Sequence, residues 1–292
     1  MSKRIRKHSD TLIFLGPCIA IFLFYSIVPL VYSVVLSFFS WEWAAGAELK
    51  FFGVGNYLRA ASDTRAAGDL LHTVIMCIGI ISAELLLGLG VALLLNTGLR
   101  GARYFRVTYL LPILIAPVAV AFNFSVILHE DRGPINYLLN VAGLQPVPWM
   151  SKDPFATLAV MLIVIWQWTP FMALLILAGL QTLPVEVLEM AEIDGASGWK
   201  LLRNILLPML RPVIVVAVLF RLIELFKMFD VPFVLTRGGP GTSTELIVQY
   251  IYLQAFKFFS MGYAAALSNI LIVIVTIVGL QFVRYVIREV KI

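Results

Sequence analysis

Several stretches of this chain run past the roughly 20 consecutive apolar residues that cross a bilayer. They lack the period-2 alternation of barrel strands. Backbone groups in hydrocarbon have no water to bond, so an open strand is excluded and each span must be a helix. The 292 residues are 61% hydrophobic and 13% charged, against about 25% charged in soluble domains. The sequence therefore specifies an all-α polytopic membrane protein in contact with membrane lipid.

Spans are placed at about 12–39, 71–96, 107–129, 156–181, 212–235 and 264–287. The first continues well beyond a signal-peptide core and is expected to stay in the mature chain. Orientation follows from basic residues. Lys3, Arg4, Arg6, Lys7, Arg100, Arg103, Arg106, Lys200, Arg203, Arg211, Arg284, Arg288 and Lys291 fall on one side, 13 in all. Lys50, Arg59, Arg65, Arg132, Lys152, Arg237 and Lys257, seven residues, fall on the other. The positive-inside rule makes the richer side cytoplasmic, with both termini on it. The net charge of +5 is accounted for by this topology, and no nucleic-acid partner is expected. Cys18 and Cys77 lie within apolar runs without metal-ligand spacing and read as small hydrophobes. Connections 40–70 and 130–155 are long and rich in Gly, Pro and Trp. The second should carry a short helix over 135–141. Both read equally as landing surfaces for a soluble partner or as solvated connectors.

Ionisable side chains within hydrocarbon are costly and point to function. Glu84 sits in the middle of the second span. Arg221, Glu224, Lys227 and Asp230 recur every third residue through the fifth, drift slowly around one face, and alternate in sign so that neighbours can pair. Arg221 and Glu224 either face a solute path or neutralise each other and fasten the helix. Lys227 and Asp230 read as structural or gating groups. In the fourth span Trp166, Gln167, Trp168 and Phe171 flank Thr169-Pro170, and Pro170 is expected to kink the helix. Trp168 and Phe171 suit the apolar face of a sugar, or else belong to an interfacial aromatic belt. Asn123 and Asn269 complete the polar candidates, with Leu225 and Met228 as apolar lining beside Arg221 and Glu224.

The segment 182–211 is a charged excursion between two apolar spans. Pro184 suits a helix start, and Glu186, Glu189 and Glu192 form an acidic stripe at the positive end of that helix. Gly195 allows a turn. A second helix is expected from Trp199 to Leu207 with Lys200 and Arg203 outward, and Pro208 and Pro212 should punctuate the start of the fifth span. Helix, glycine turn, helix is either a solvated loop or a knob shaped for a partner's groove.

Glu189, Ala191, Asp194, Gly195, Ala196, Ile205, Leu207 and Pro208 resemble, in spacing, the cytoplasmic EAA coupling loop of permeases in binding-protein-dependent ABC importers. Met190 stands where that loop usually has alanine. Phe52-Gly53-Val54-Gly55-Asn56-Tyr57, Phe229-Asp230 leading to Thr236 and Gly238-Gly239-Pro240, and Gly262-Tyr263-Ala264-Ala265-Ala266 resemble phrases of the carbohydrate uptake permeases, and of the lactose- and glycerol-phosphate-type first permease among them.

This resemblance implies a type I ABC importer permease fold in one domain, 1–292, set in a bacterial inner membrane. It implies a second permease subunit, two copies of an ABC ATPase on the coupling loops, and an extracytoplasmic binding protein delivering a sugar, polyol or related solute. Glu189 would contact the ATPase. The chain has no GxxxxGK[ST] phosphate loop, so ATP and Mg would be used by the partner and no cofactor is expected here. Nor is catalysis: His8, His72 and His129 do not cluster, and no nucleophile stands beside a base. A stand-alone secondary transporter or channel would explain the spans and their charges but not the loop. The solute's identity, neutral or anionic, stays open.

Overall fold

The computed structural model describes residues 2–42, 48–97 and 101–290. Arg100 and Lys291 lie outside them, as do the side chains of Lys3, Arg4, Arg6, Lys7, Arg103, Glu192 and Arg288. Among the described residues, five helices are long and apolar enough to cross a membrane, or six if one sharply bent pair counts as a single span. By its internal contacts the chain divides into two compact units, Met1–Thr64 with Ile251–Val273, and Arg65–Tyr250 with Ile274–Ile292.

In the first unit, α1 (Ser2–Leu36) leads into a two-stranded antiparallel ribbon, β1 (Phe39–Ser40) and β2 (Lys50–Phe51), with Phe39 opposite Phe51. α2 (Gly55–Ser62) follows. Asn56 of α2 is buried and donates to the carbonyls of Ser37 (2.8 Å) and Phe39 (2.9 Å), which leave α1 without helical partners. The first turns of α14 (Met261–Val290) close the unit. Tyr263 donates to Asp63 at 2.6 Å beneath the Arg59 guanidinium, 4.1 Å from its ring centroid. Only glycine fits at 262, because an added Cβ would lie 1.9 Å from the Phe39 carbonyl oxygen.

The second unit starts with α3 (Thr64–Asn96), seven residues earlier than the expected second span. The polar stretch before Leu71 continues the helix, so its 33 residues extend about 50 Å. Next come α4 (Ala102–Tyr109), α5 (Leu111–Leu114) and α6 (Pro117–Ile127). The expected single helix over 107–129 is broken here, and its two arms are bent by 93°. The cause is Pro117: residues before proline are forced out of the helical region, and Ile115 and Ala116 take extended ψ values of 132° and 133°.

Then follow α7 (Pro134–Val141), on the anticipated short helix, and α8 (Phe155–Gln181). Asn136 of α7 is buried and pins the connection, bonding Glu130 and Val147 backbone and accepting from the Trp149 indole. α8 packs against α11 (Leu207–Phe226). Gly179 permits their close approach, since a Cβ there would meet Val213 at 3.0 Å, and Gly88 of α3 does the same against α8, where a Cβ would meet Met172 at 2.9 Å. Ala92, Leu95, Met172, Ile176, Leu180 and Leu210 form the core at this end.

The fifth span reaches Leu235 as expected, but α11 does not run its whole length. It ends at Phe226, and α12 (Asp230–Leu235) restarts after a break at 227–229. α12 packs on α6. Thr236 to Gly241 then fold as a tight polar turn, where the Thr244 hydroxyl donates to Gly239 and pairs with Thr236. Glu245 is held by Arg65 of α3 through two bonds of 2.8 and 2.9 Å. α13 (Ile247–Tyr252) opens with its first amide on the Thr73 hydroxyl.

Candidate functional site

The break at 227–229 opens a cavity of about 160 Å³ in the second unit. α8 lends Gln167 and Trp168 to its wall, α11 lends Arg221, Glu224 and Leu225, the break lends Lys227 and Met228, and α12 lends Asp230. Pro117, at the bend of the third span, completes it. Two interrupted spans thus meet at one hollow. Unwound segments of this kind expose polar groups at membrane depth only where they line a cavity.

Arg221 is 2% exposed. Its Nε and Nη2 donate to the two carboxylate oxygens of Glu84 at 2.7 and 2.6 Å, and its guanidinium lies 4.7 Å from the Trp168 ring centroid. The pair sits between helices; Arg221 is not matched with Glu224 along its own. Glu224 instead receives Lys227 at 2.8 Å, and both are half-exposed or more. The three-residue charge rhythm ends at Lys227, because the break puts Asp230 on a different helix.

Five of the sequence candidates therefore line the cavity: Trp168, Arg221, Glu224, Leu225 and Met228. Phe171 stands beside it, edge-on to Trp168 with centroids 6.2 Å apart. Asn123 is exposed and its amide donates to Ala119 in its own helix. Asn269 belongs to the first unit, where Ser33 donates to it at 3.1 Å and it donates to the Tyr57 hydroxyl. Neither asparagine is among the residues that line the cavity.

Gln167 is the residue that sequence reasoning passed over. It is 1% exposed, and its Nε2 donates to the Ile115 carbonyl at 2.9 Å, which the third-span bend strips of a helical partner. Its Oε1 is buried with no partner among the described residues. A lone glutamine in an apolar span was the available signal, masked by the tryptophans around it.

The second candidate surface is 182–211. α9 (Val185–Ile193) ends where the Asp194 amide donates to Met190 and the Ala196 amide to Ala191. Gly195, at φ 78°, makes the turn. Ala191 is buried beneath it, while Glu189, Asp194, Lys200 and Arg203 are exposed. So are Met190, Ile193 and Trp199, the last two at 85% and 68%. Large apolar side chains thus stand among charges on this knob, a pattern that interaction surfaces share.

The feet of the knob are fixed. Leu183 and Leu206 pack on the core of Ala92, Leu95, Leu180 and Leu210. Pro208 was expected to stop the second loop helix, but it does not. α10 (Gly198–Leu201), a π-helical turn (Leu202–Leu206) and α11 run on continuously, with Leu207 partly buried and Pro208 exposed near the start of α11. The wider π turn accommodates the proline without ending the helix. One rod of 198–226 therefore joins the knob to the cavity, with Gly198 and Arg221 about 35 Å apart along it.

Comparison with known proteins places this geometry. The family described as the inner membrane component of binding-protein-dependent transport systems matches residues 75–291. The sulfoquinovosyl glycerol transport system permease SmoG of Agrobacterium fabrum is 34% identical, over 91% of this chain and 86% of its own. The trehalose/maltose transport system permease MalF of Thermococcus litoralis is 36% identical, over 82% and 81%. The chain also superposes on a solved bacterial ABC transporter involved in import of the acidic polysaccharide alginate, with a TM-score of 0.84 at 21% identity, over 98% of both chains.

Proposed function

Because the chain belongs to the family of inner membrane components of binding-protein-dependent transport systems, a multi-pass membrane protein family and not an enzyme family, we propose that it forms half of the translocation path of an ATP-driven sugar importer. A second permease supplies the other half. Two copies of an ABC ATPase bind and hydrolyse Mg-ATP on the cytoplasmic side, and an extracytoplasmic binding protein delivers the solute. In this reading the chain lies in a bacterial inner membrane with both termini and the 182–211 knob in the cytoplasm, the arrangement its basic residues favour. The solute class follows the relatives, whose names assign them sugars and sugar derivatives.

The observation that carries this reading is the continuous 198–226 helix. Trp199 at its exposed foot joins Glu189, Met190 and Ile193 of α9 in the surface offered to an ATPase groove, and its far end carries Arg221 and Glu224 at the cavity. When the ATPases close, force on the knob moves the cavity wall rather than dissipating in a flexible linker. Solute is held against Trp168, whose ring suits the apolar face of a sugar. The breaks at 115–116 and 227–229 give that wall its hinges.

The test is affinity purification of the tagged chain from its native membrane in mild detergent. Recovery of an ATPase and a second permease of similar span number supports the assembly. Recovery of the chain alone from membranes known to contain the other subunits would count against it.

A further inference from the structure

From the charge and hydrogen-bonding character of the cavity we infer that it accepts a neutral polyhydroxyl solute and turns away an anionic one. This rests on the transport reading above and settles a point that reading leaves open. Arg221 is the group an anionic sugar would seek, but its two-point fork is already committed to Glu84, and one face of its guanidinium lies over Trp168. A fork so used is neutralised, and two of the five guanidinium N–H donors are committed to Glu84. Lys227, the other cation, is paired with Glu224.

Asp230 makes no ion pair with a described residue. Counting Glu84 behind Arg221, the lining therefore carries one negative charge in excess. Charges interact strongly in a partly enclosed, low-dielectric hollow, so this excess repels a carboxylate, sulfonate or phosphate.

The polar atoms left over point the same way. Gln167 spends its amide nitrogen on Ile115, and its buried Oε1 is an acceptor with nothing to accept. Asp230 is also an acceptor, and Glu224 keeps one oxygen beyond the lysine. Lys227 and Arg221 keep further N–H donors, so the wall both accepts and donates, as hydroxyl groups do. An ionised acid group brings only more acceptors. A solute hydroxyl on Gln167 Oε1 removes the cost of that unpaired atom.

The assembled permease–ATPase complex, purified without its binding protein, permits a direct test, since the binding protein would otherwise impose its own selection. Tryptophan fluorescence is titrated with trehalose and maltose, and separately with glucuronate and a 6-sulfonated glucose, with Trp168→Phe as the blank. Saturable change with a neutral sugar and none with the acids is expected. Gln167→Leu should weaken that binding about tenfold, and Asp230→Asn should admit the acids, both with the complex intact by size-exclusion chromatography. Tighter binding of an acid than of either neutral sugar, or neutral binding indifferent to Gln167→Leu, overturns the inference. A response to neither class overturns the carbohydrate reading and this inference together, which separates the two failures.

Discussion

Arg221 on α11 and Glu84 on α3 are joined by two hydrogen-bonded contacts, of 2.7 and 2.6 Å, with side-chain exposures of 2% and 0%. The two residues lie 137 positions apart in the chain, on different helices, so the pair fixes a tertiary relationship and not a helix-surface one. Breaking a buried pair on one side leaves an uncompensated charge and costs about 3–5 kcal/mol, whereas removing both partners is far milder. Glu84→Ala and Arg221→Ala should each lower the thermal midpoint of the purified protein and its yield in membranes. Glu84→Leu combined with Arg221→Met should recover most of both while solute transport stays impaired. Single variants as stable as the parent would show that the pair holds nothing.

Glu189 offers the opposite case, an exposed charge on a knob whose core lies elsewhere. Reversing it should leave folding untouched and break recognition. Glu189→Arg is expected to insert at parental level and melt within about 1 kcal/mol of the parent, as exposed substitutions usually do, yet to lose uptake and recovery with the ATPase. Normal uptake by that variant would remove Glu189 from the coupling surface.

The span count and the knob were legible because both are written in composition and local turn chemistry: long apolar runs, then Glu189 to Pro208 as a charged interruption with Gly195 at its turn. The breaks were less so. Pro112 and Pro117 signalled the bend, but apolar character runs through both and hides a 93° change of direction. The interruption at 227–229 has no proline within it. Its marks are Pro232, which has no amide to bond back to residue 228, and the charges of Lys227 and Asp230, which a regular helix pattern absorbs as one face. Partners were least visible. Spacing favoured Arg221 with Glu224, and only three-dimensional packing brings Glu84 within reach. Three phrases quoted for their family likeness turn out to have structural work. Asn56 ties down the ribbon, Gly262 makes room for the Phe39 carbonyl, and Gly239 accepts from Thr244.

Gly262 gives a prediction that separates steric need from helix propensity. An alanine there puts Cβ on the Phe39 carbonyl oxygen, which must move. Overpacking of this kind costs about 1–3 kcal/mol. Gly90 in α3 has nothing within 4 Å of an added Cβ. Gly262→Ala should therefore lower the thermal midpoint, and Gly90→Ala should hold or raise it, since alanine favours helix over glycine. Equal effects at the two positions would mean that the close approach at 262 is not what requires glycine.

Glu130 sets a pH dependence in the connection between α6 and α8. Burial pushes its carboxyl up, but the Ser151 hydroxyl, the amides of Met150 and Ser151 and nearby His129 outweigh burial and hold it below the usual carboxylate range. Those bonds measure 2.9, 3.1 and 2.8 Å. A carboxyl whose folded pKa is depressed contributes stability that is present above its unfolded value and lost as pH falls through the folded one. The contribution should thus be complete above the ordinary value of 4.5 and fade progressively below it. Hydrogen exchange at Met150 and Ser151, corrected for the intrinsic pH effect, should show protection near neutrality that disappears on acidification. Glu130→Ala should show the unprotected rate at every pH, because nothing is left to accept the two amides. Protection that persists unchanged well below 4.5 would mean that the carboxylate is not what holds this connection to the start of α8.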